Sequence, residues 1–161
     1  MASTTFSVAL RGLVLPLAFA FGAAAHAAPF TPSADGTQIK DEATGLTWRR
    51  CAEGMSWNGV TCSGTALKFS WTAALDRAKA AGQNWRLPNA KELASLVDTT
   101  RIEPAINPVF ANTPVYWFWT GTGSWGTTNR SWFVEFERGA VGEDTTGALY
   151  NVRLVKSVKA S

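Results

Sequence analysis

The sequence predicts an α+β domain in which two helices lie between an early strand and a late antiparallel sheet. Two observations carry this. Helix-period apolar spacing with capping residues is confined to residues 70–97, and segments rich in aromatic and β-branched residues flank it, from Thr44 and again from Tyr116. Residues 28–161 are also one domain's worth of chain, long enough to bury a single core, and they contain no internal repeat or low-complexity segment.

The first 27 residues read as a secretory signal peptide. One positive charge, Arg11, precedes an uncharged run from Gly12 to Ala25 that is too short to span a bilayer, and Ala25-His26-Ala27 sets small residues at the cleavage positions. No cysteine follows the cut, so a soluble, exported product is expected, periplasmic or at the cell surface. Residues 28–43 then form a polar, turn-rich lead-in to a domain spanning 44–158. Cleavage lowers the formal charge from +3 to +2, because Arg11 is the only charged residue removed. That weak excess predicts neither a nucleic-acid nor a membrane partner.

Within the domain, Thr44 to Arg49 alternates after a Gly45 turn and predicts the first strand. Cys51 and Cys62 bracket a loop containing Gly54, Asn58 and Gly59. In an exported chain their spacing favours a disulfide over two free thiols, and too few Cys and His are present for a zinc site. Ser70 caps a helix over Trp71 to Ala81 with Trp71, Ala74, Leu75 and Ala78 on its packed face and Gly82 as its stop. Asn89 and Glu92 form a capping box for a second helix with Leu93, Leu96 and Val97 as its buried stripe. Pro104, Pro108 and Pro114 predict an ordered crossing without regular structure. Tyr116 to Thr120, Ser131 to Glu137 and Leu149 to Val155 are the expected late strands.

The only histidine, His26, leaves with the signal peptide, which excludes Ser-His-Asp and Cys-His catalysis and histidine-ligated metals from the mature chain. Glu135 and Glu137 stand i,i+2 on one strand, with no cleft between them for glycoside hydrolysis. Asp98, Glu143 and Asp144 do not supply the six to eight oxygens that calcium takes, and Glu103-Pro104-Ala105 lacks the terminal amide of a Glu-Pro-Asn triplet. No cofactor and no metal are expected.

Eight tryptophans survive cleavage. Trp48, Trp71, Trp85 and Trp132 lie in regular elements and read as core. Trp125 differs, because glycine, serine, threonine and asparagine surround it, as suits a loop indole that stacks on a sugar face. Trp119 borders the same expected surface, and Asn129 supplies a polar edge. Arg130 and Arg138 are the anion-recognition candidates, with Arg153, Lys156 and Lys159 able to extend a basic face unless Glu135 and Glu137 neutralise it.

The segment Trp85-Arg86-Leu87-Pro88-Asn89-Ala90-Lys91-Glu92-Leu93 brings in a resemblance. Together with TGLTWRRC, GMSWNGVTCSG, FSWTAAL, PAINPVF, YWFWT, WFVEFERG and VRLVK, in that order, it resembles the C-terminal domain family of the Legionella collagen-like adhesin, from about Thr44 to Lys156. The resemblance implies a C-type-lectin-like fold and a non-enzymatic adhesin role, with a carbohydrate, sulfated in the better-studied member, or a surface protein as partner. It also implies a trimer, although no collagen-like stalk precedes the domain. The RLP…E segment is similar to one in formylglycine-generating oxidases. Those enzymes place their copper-holding cysteine pair late in the chain, whereas Cys51 and Cys62 lie early. The reading that competes with an adhesin is an envelope protein-interaction module.

Overall fold

The computed structural model describes Met1, residues 30–126 and residues 128–157. The expected signal peptide, Met1 apart, and Lys159 lie outside the described residues.

Three small antiparallel sheets and two helices make up the described chain, an α+β arrangement. The first sheet holds β1 (Phe30–Pro32), β2 (Gln38–Asp41), β3 (Leu46–Arg49) and β9 (Val155–Ser157), in that order. It begins earlier than expected, since the lead-in contributes β1 and β2. The turn-forming residues of the lead-in do make a turn, between these two strands: the Asp35 carboxylate accepts hydrogen bonds from the Ser33 hydroxyl and the Thr37 amide, and Gly36 takes a positive φ. Ile39 opposes Trp48, which opposes Val155, so one buried row crosses the sheet.

The loop bracketed by the two cysteines is a β-hairpin. β4 (Met55–Trp57) pairs with β5 (Cys62–Gly64), and Asn58 Oδ1 closes the turn by accepting from the Val60 and Thr61 amides. Cys51 and Cys62 are disulfide-bonded. By loop-closure entropy the link contributes about 3 kcal/mol. Cys51→Ser is expected to lower the urea midpoint accordingly, and an unchanged midpoint would show that the hairpin holds without it.

α1 (Trp71–Ala80) is capped by Ser70 as expected and stops before Gly82, which takes the left-handed conformation of a C-terminal glycine. Its buried line is narrower than the spacing suggested. Ala74 and Ala78 pack, whereas Leu75 is exposed, because one residue turns a helix by about 100°. α2 (Ala90–Ala94) has the expected capping box between Asn89 and Glu92. Leu93 and Leu96 are buried and Val97 is half-buried, with Leu96 and Val97 lying beyond the helix end. Arg86 donates to both carboxylate oxygens of Glu92 at 2.7 and 2.8 Å, so RLPNAKE is a scaffold segment.

The last sheet is a meander of β6 (Trp117–Gly123), β7 (Arg130–Glu135) and β8 (Val141–Thr145). β8 was not expected, because glycine and acids disfavour a strand. Here Gly142 lets the Phe133 ring of the neighbouring strand lie close: a Cβ would meet Phe133 Cζ at 2.8 Å and the ring would have to shift. The expected strand Leu149 to Val155 forms a ladder only from Val155. Upstream, its backbone bonds are spread over Phe69, Trp117, Trp119, Glu53 and Arg49, because the segment threads between two cores instead of lying beside one strand.

One core joins Ile39, Trp48, Leu93, Ile106, Phe110, Phe118 and Phe136. The other joins Ala74, Ala78, Trp85, Leu87, Trp119 and Leu154. The middle of β6 is therefore covered on both faces, Phe118 belonging to the first core and Trp119 to the second.

Candidate functional site

The turn between β6 and β7 has a pinned base and a free tip. The Ser124 amide donates to Arg130 O at 3.0 Å, the Ser131 hydroxyl to Thr122 O at 2.7 Å and the Thr146 amide to Asn129 O at 2.8 Å. The Ser124 hydroxyl and the Arg130 guanidinium both engage Glu143, at 2.8 Å to its carboxylate and 2.7 Å to its carbonyl. Above this base Trp125 is fully exposed (100 %), and Asn129, nearer the start of β7, is exposed as well. The indole thus keeps its stacking faces, while Arg130 is spent largely on holding Glu143.

Burial and topology correct several expected site residues. Trp119 is 0 % exposed, its ring 4.5 Å from that of Tyr150 and its Nε1 donating to Phe69 O, so it cannot touch a ligand. At Trp119 both faces of β6 are covered, so it does not border the expected surface. Arg138 is exposed, yet it sits in the β7–β8 turn. Because β7 rises by about 3.4 Å per residue, that turn lies roughly 17 Å from the β6–β7 turn, at the opposite end of the sheet. A single patch of Trp125, Arg130 and Arg138 therefore does not form.

The expected basic face is also dismantled. Arg153 is 0 % exposed, donating to the carbonyls of Arg49 and Arg50 and to Thr113 Oγ1, with its guanidinium 4.9 Å from the Phe110 ring. Burial pulls its pKa down to about 9. Glu135 is buried too, accepting from the Arg138 and Ala140 amides, and so braces the β7–β8 turn instead of pairing with a basic side chain.

At the Arg138 end the structure assembles an aromatic shelf that the sequence did not indicate. Trp117 (42 % exposed) stacks on Tyr150 at 5.5 Å and meets Phe133 edge-on at 6.4 Å, while Tyr116 (50 % exposed) carries Lys68 Nζ 4.8 Å from its ring. The Tyr150 hydroxyl donates to Asp144, which also accepts from the Thr145 amide. The bond from Tyr150 is the main cause that lowers the Asp144 pKa. Burial first, then that bond, raises the Tyr150 pKa to about 12. Alternation within YWFWT signals a strand but not which of its tryptophans remains open, since that depends on the Tyr150 segment returning across it.

Among the described residues no group of three or more His, Cys, Asp or Glu side chains is placed to hold a metal ion, and no helix is long and apolar enough to cross a membrane.

Fold and surface together define a small, disulfide-stapled α+β domain with aromatic side chains presented at two ends of one sheet. The chain belongs to the Lcl C-terminal domain family, whose model matches residues 37–156. The match begins at the β1–β2 turn and ends within β9, so it takes in both helices and every strand except β1. Comparison with curated proteins returns no match.

Proposed function

We propose that this protein is an exported, non-enzymatic recognition domain of adhesin type, built on a C-type-lectin-like scaffold, that binds carbohydrate through the β6–β7 turn. The observation that carries this reading is Trp125, a fully exposed indole on a turn whose base is hydrogen-bonded. An exposed aromatic side chain stacks on the apolar face of a sugar ring, and the hydrogen-bonded base fixes where the turn stands on the sheet. The family and the disulfide support an exported adhesin-like role. A role without chemistry is supported by the engagement of Asp144 with Tyr150, of Glu135 with backbone amides and of Glu92 with Arg86.

A glycan array probed with the purified protein, with and without calcium and at two salt concentrations, tests this. Calcium-independent binding that weakens by about tenfold or more in Trp125→Ala, with an unchanged melting temperature, is expected. Full binding by Trp125→Ala would overturn the assignment of the site.

The aromatic shelf favours a second reading, an envelope module that meets another protein through Tyr116 and Trp117. That reading predicts a silent array together with a partner cross-linked to wild type and lost in Trp117→Ser.

A further inference from the structure

We propose that the cleft between the disulfide hairpin and α1 binds the carboxylate of a small hydroxy- or amino-acid ligand. The cleft has a volume of about 410 Å³, and Arg49, Arg77, Glu53, Thr37, Ser56 and Trp57 are among its lining residues. It is built from three separate elements of the chain and shares none of its lining residues with the β6–β7 turn or the aromatic shelf.

Its electrostatics are unbalanced. Arg77 uses Nε on Glu53 at 2.6 Å and makes no other side-chain hydrogen bond among the described residues. Arg49 stacks 4.6 Å from the Trp85 ring, and among the described residues its guanidinium has no hydrogen-bond acceptor, with Nε buried and unpartnered. Arg49 therefore packs on an indole instead of an acidic partner, and no side chain among the described residues neutralises its charge beside the cleft. The nearby cations do not relieve it. Arg50 is held by Val109 O and Gly36 O and lies 3.4 Å over the Trp57 ring, and Arg153 is directed at the Arg49 and Arg50 carbonyls.

Among the lining residues two guanidinium groups, Arg49 and Arg77, stand against the single carboxylate of Glu53, and Arg50 over Trp57 adds to the positive side, so the cleft favours an anion. Arginine's planar fork matches a carboxylate, and Glu53, whose Oε1 makes no hydrogen bond among the described residues, accepts from a hydroxyl or ammonium next to it. A polysulfated group suits the cleft less well, because Glu53 opposes the additional negative charge.

The test is an NMR titration of the purified protein that follows the Arg49 and Arg77 Nε–H and Trp57 indole resonances. Galacturonate represents a sugar-borne carboxylate and L-serine a free amino acid, with galactose and inorganic sulfate as controls. Saturable shifts with galacturonate or serine, absent with galactose, and weakened about tenfold by Arg77→Gln and by Glu53→Gln are expected. Which carboxylate binds identifies its source. No saturation by either carboxylate, binding of sulfate as tight as theirs, or affinity unchanged in Arg77→Gln would overturn the proposal. Trp125→Ala leaves this titration unchanged, so its failure is separable from that of the carbohydrate site.

Discussion

Arg153→Ala is expected to destabilise the domain by about 3–5 kcal/mol, measured as a shift in urea midpoint, because the change removes a buried hub rather than a surface charge. The guanidinium reaches three acceptors from distant segments, the carbonyls of Arg49 and Arg50 at the end of β3 and the hydroxyl of Thr113 in the proline-rich crossing. Truncation would leave these acceptors unpartnered beside a cavity lined by Phe110 and Phe118. Arg153→Lys separates charge from geometry. A single ammonium does not reproduce the planar fork, so much of the loss is expected to persist although the charge is retained. Unchanged stability in both variants would show that β3 and the crossing are held together without this side chain.

Trp119→Ala is expected to cost a further few kcal/mol, about 3–5 by comparison with other large-to-small core substitutions. Trp119 fills the second core against Tyr150 and donates its indole N–H to Phe69 O, thereby tying β6 to the residue that precedes the α1 cap. Loss of near-ultraviolet circular dichroism and a lowered urea midpoint are the expected readouts. Trp125→Ala, only six positions away, is expected to change stability by less than about 0.5 kcal/mol, as a surface substitution does. A stable Trp119→Ala protein with reduced ligand binding would return Trp119 to the recognition surface.

The contrast between these two tryptophans shows how far the sequence could be read. Trp125 was legible because its neighbours are all small or polar, so nothing local offers it a core. Trp119 was not, since alternation along YWFWT is the same whether the second face meets solvent or another core. Arg153 misled for a related reason: a basic residue near the chain end reads as surface charge unless its acceptors are known, and those come from residues more than 100 positions upstream and 40 positions upstream. Arg130 and Arg138 are close in sequence and equally basic, yet a meander sends its successive turns to opposite ends of the sheet.

Local chemistry by itself determined the capped starts of both helices, the Gly82 stop, the irregular proline-rich crossing, the Cys51–Cys62 link and the α+β class. Each depends on interactions within a few residues or on a short closed loop. Only the tertiary structure decided that the lead-in supplies two strands, that Gly142 and its acidic neighbours form β8, that Arg153 and Trp119 are buried, and that Arg49 and Arg77 line one cleft. Those outcomes depend on which distant segments cover which faces. Hydrophobic burial and the satisfaction of backbone polar groups settle that for the whole chain at once.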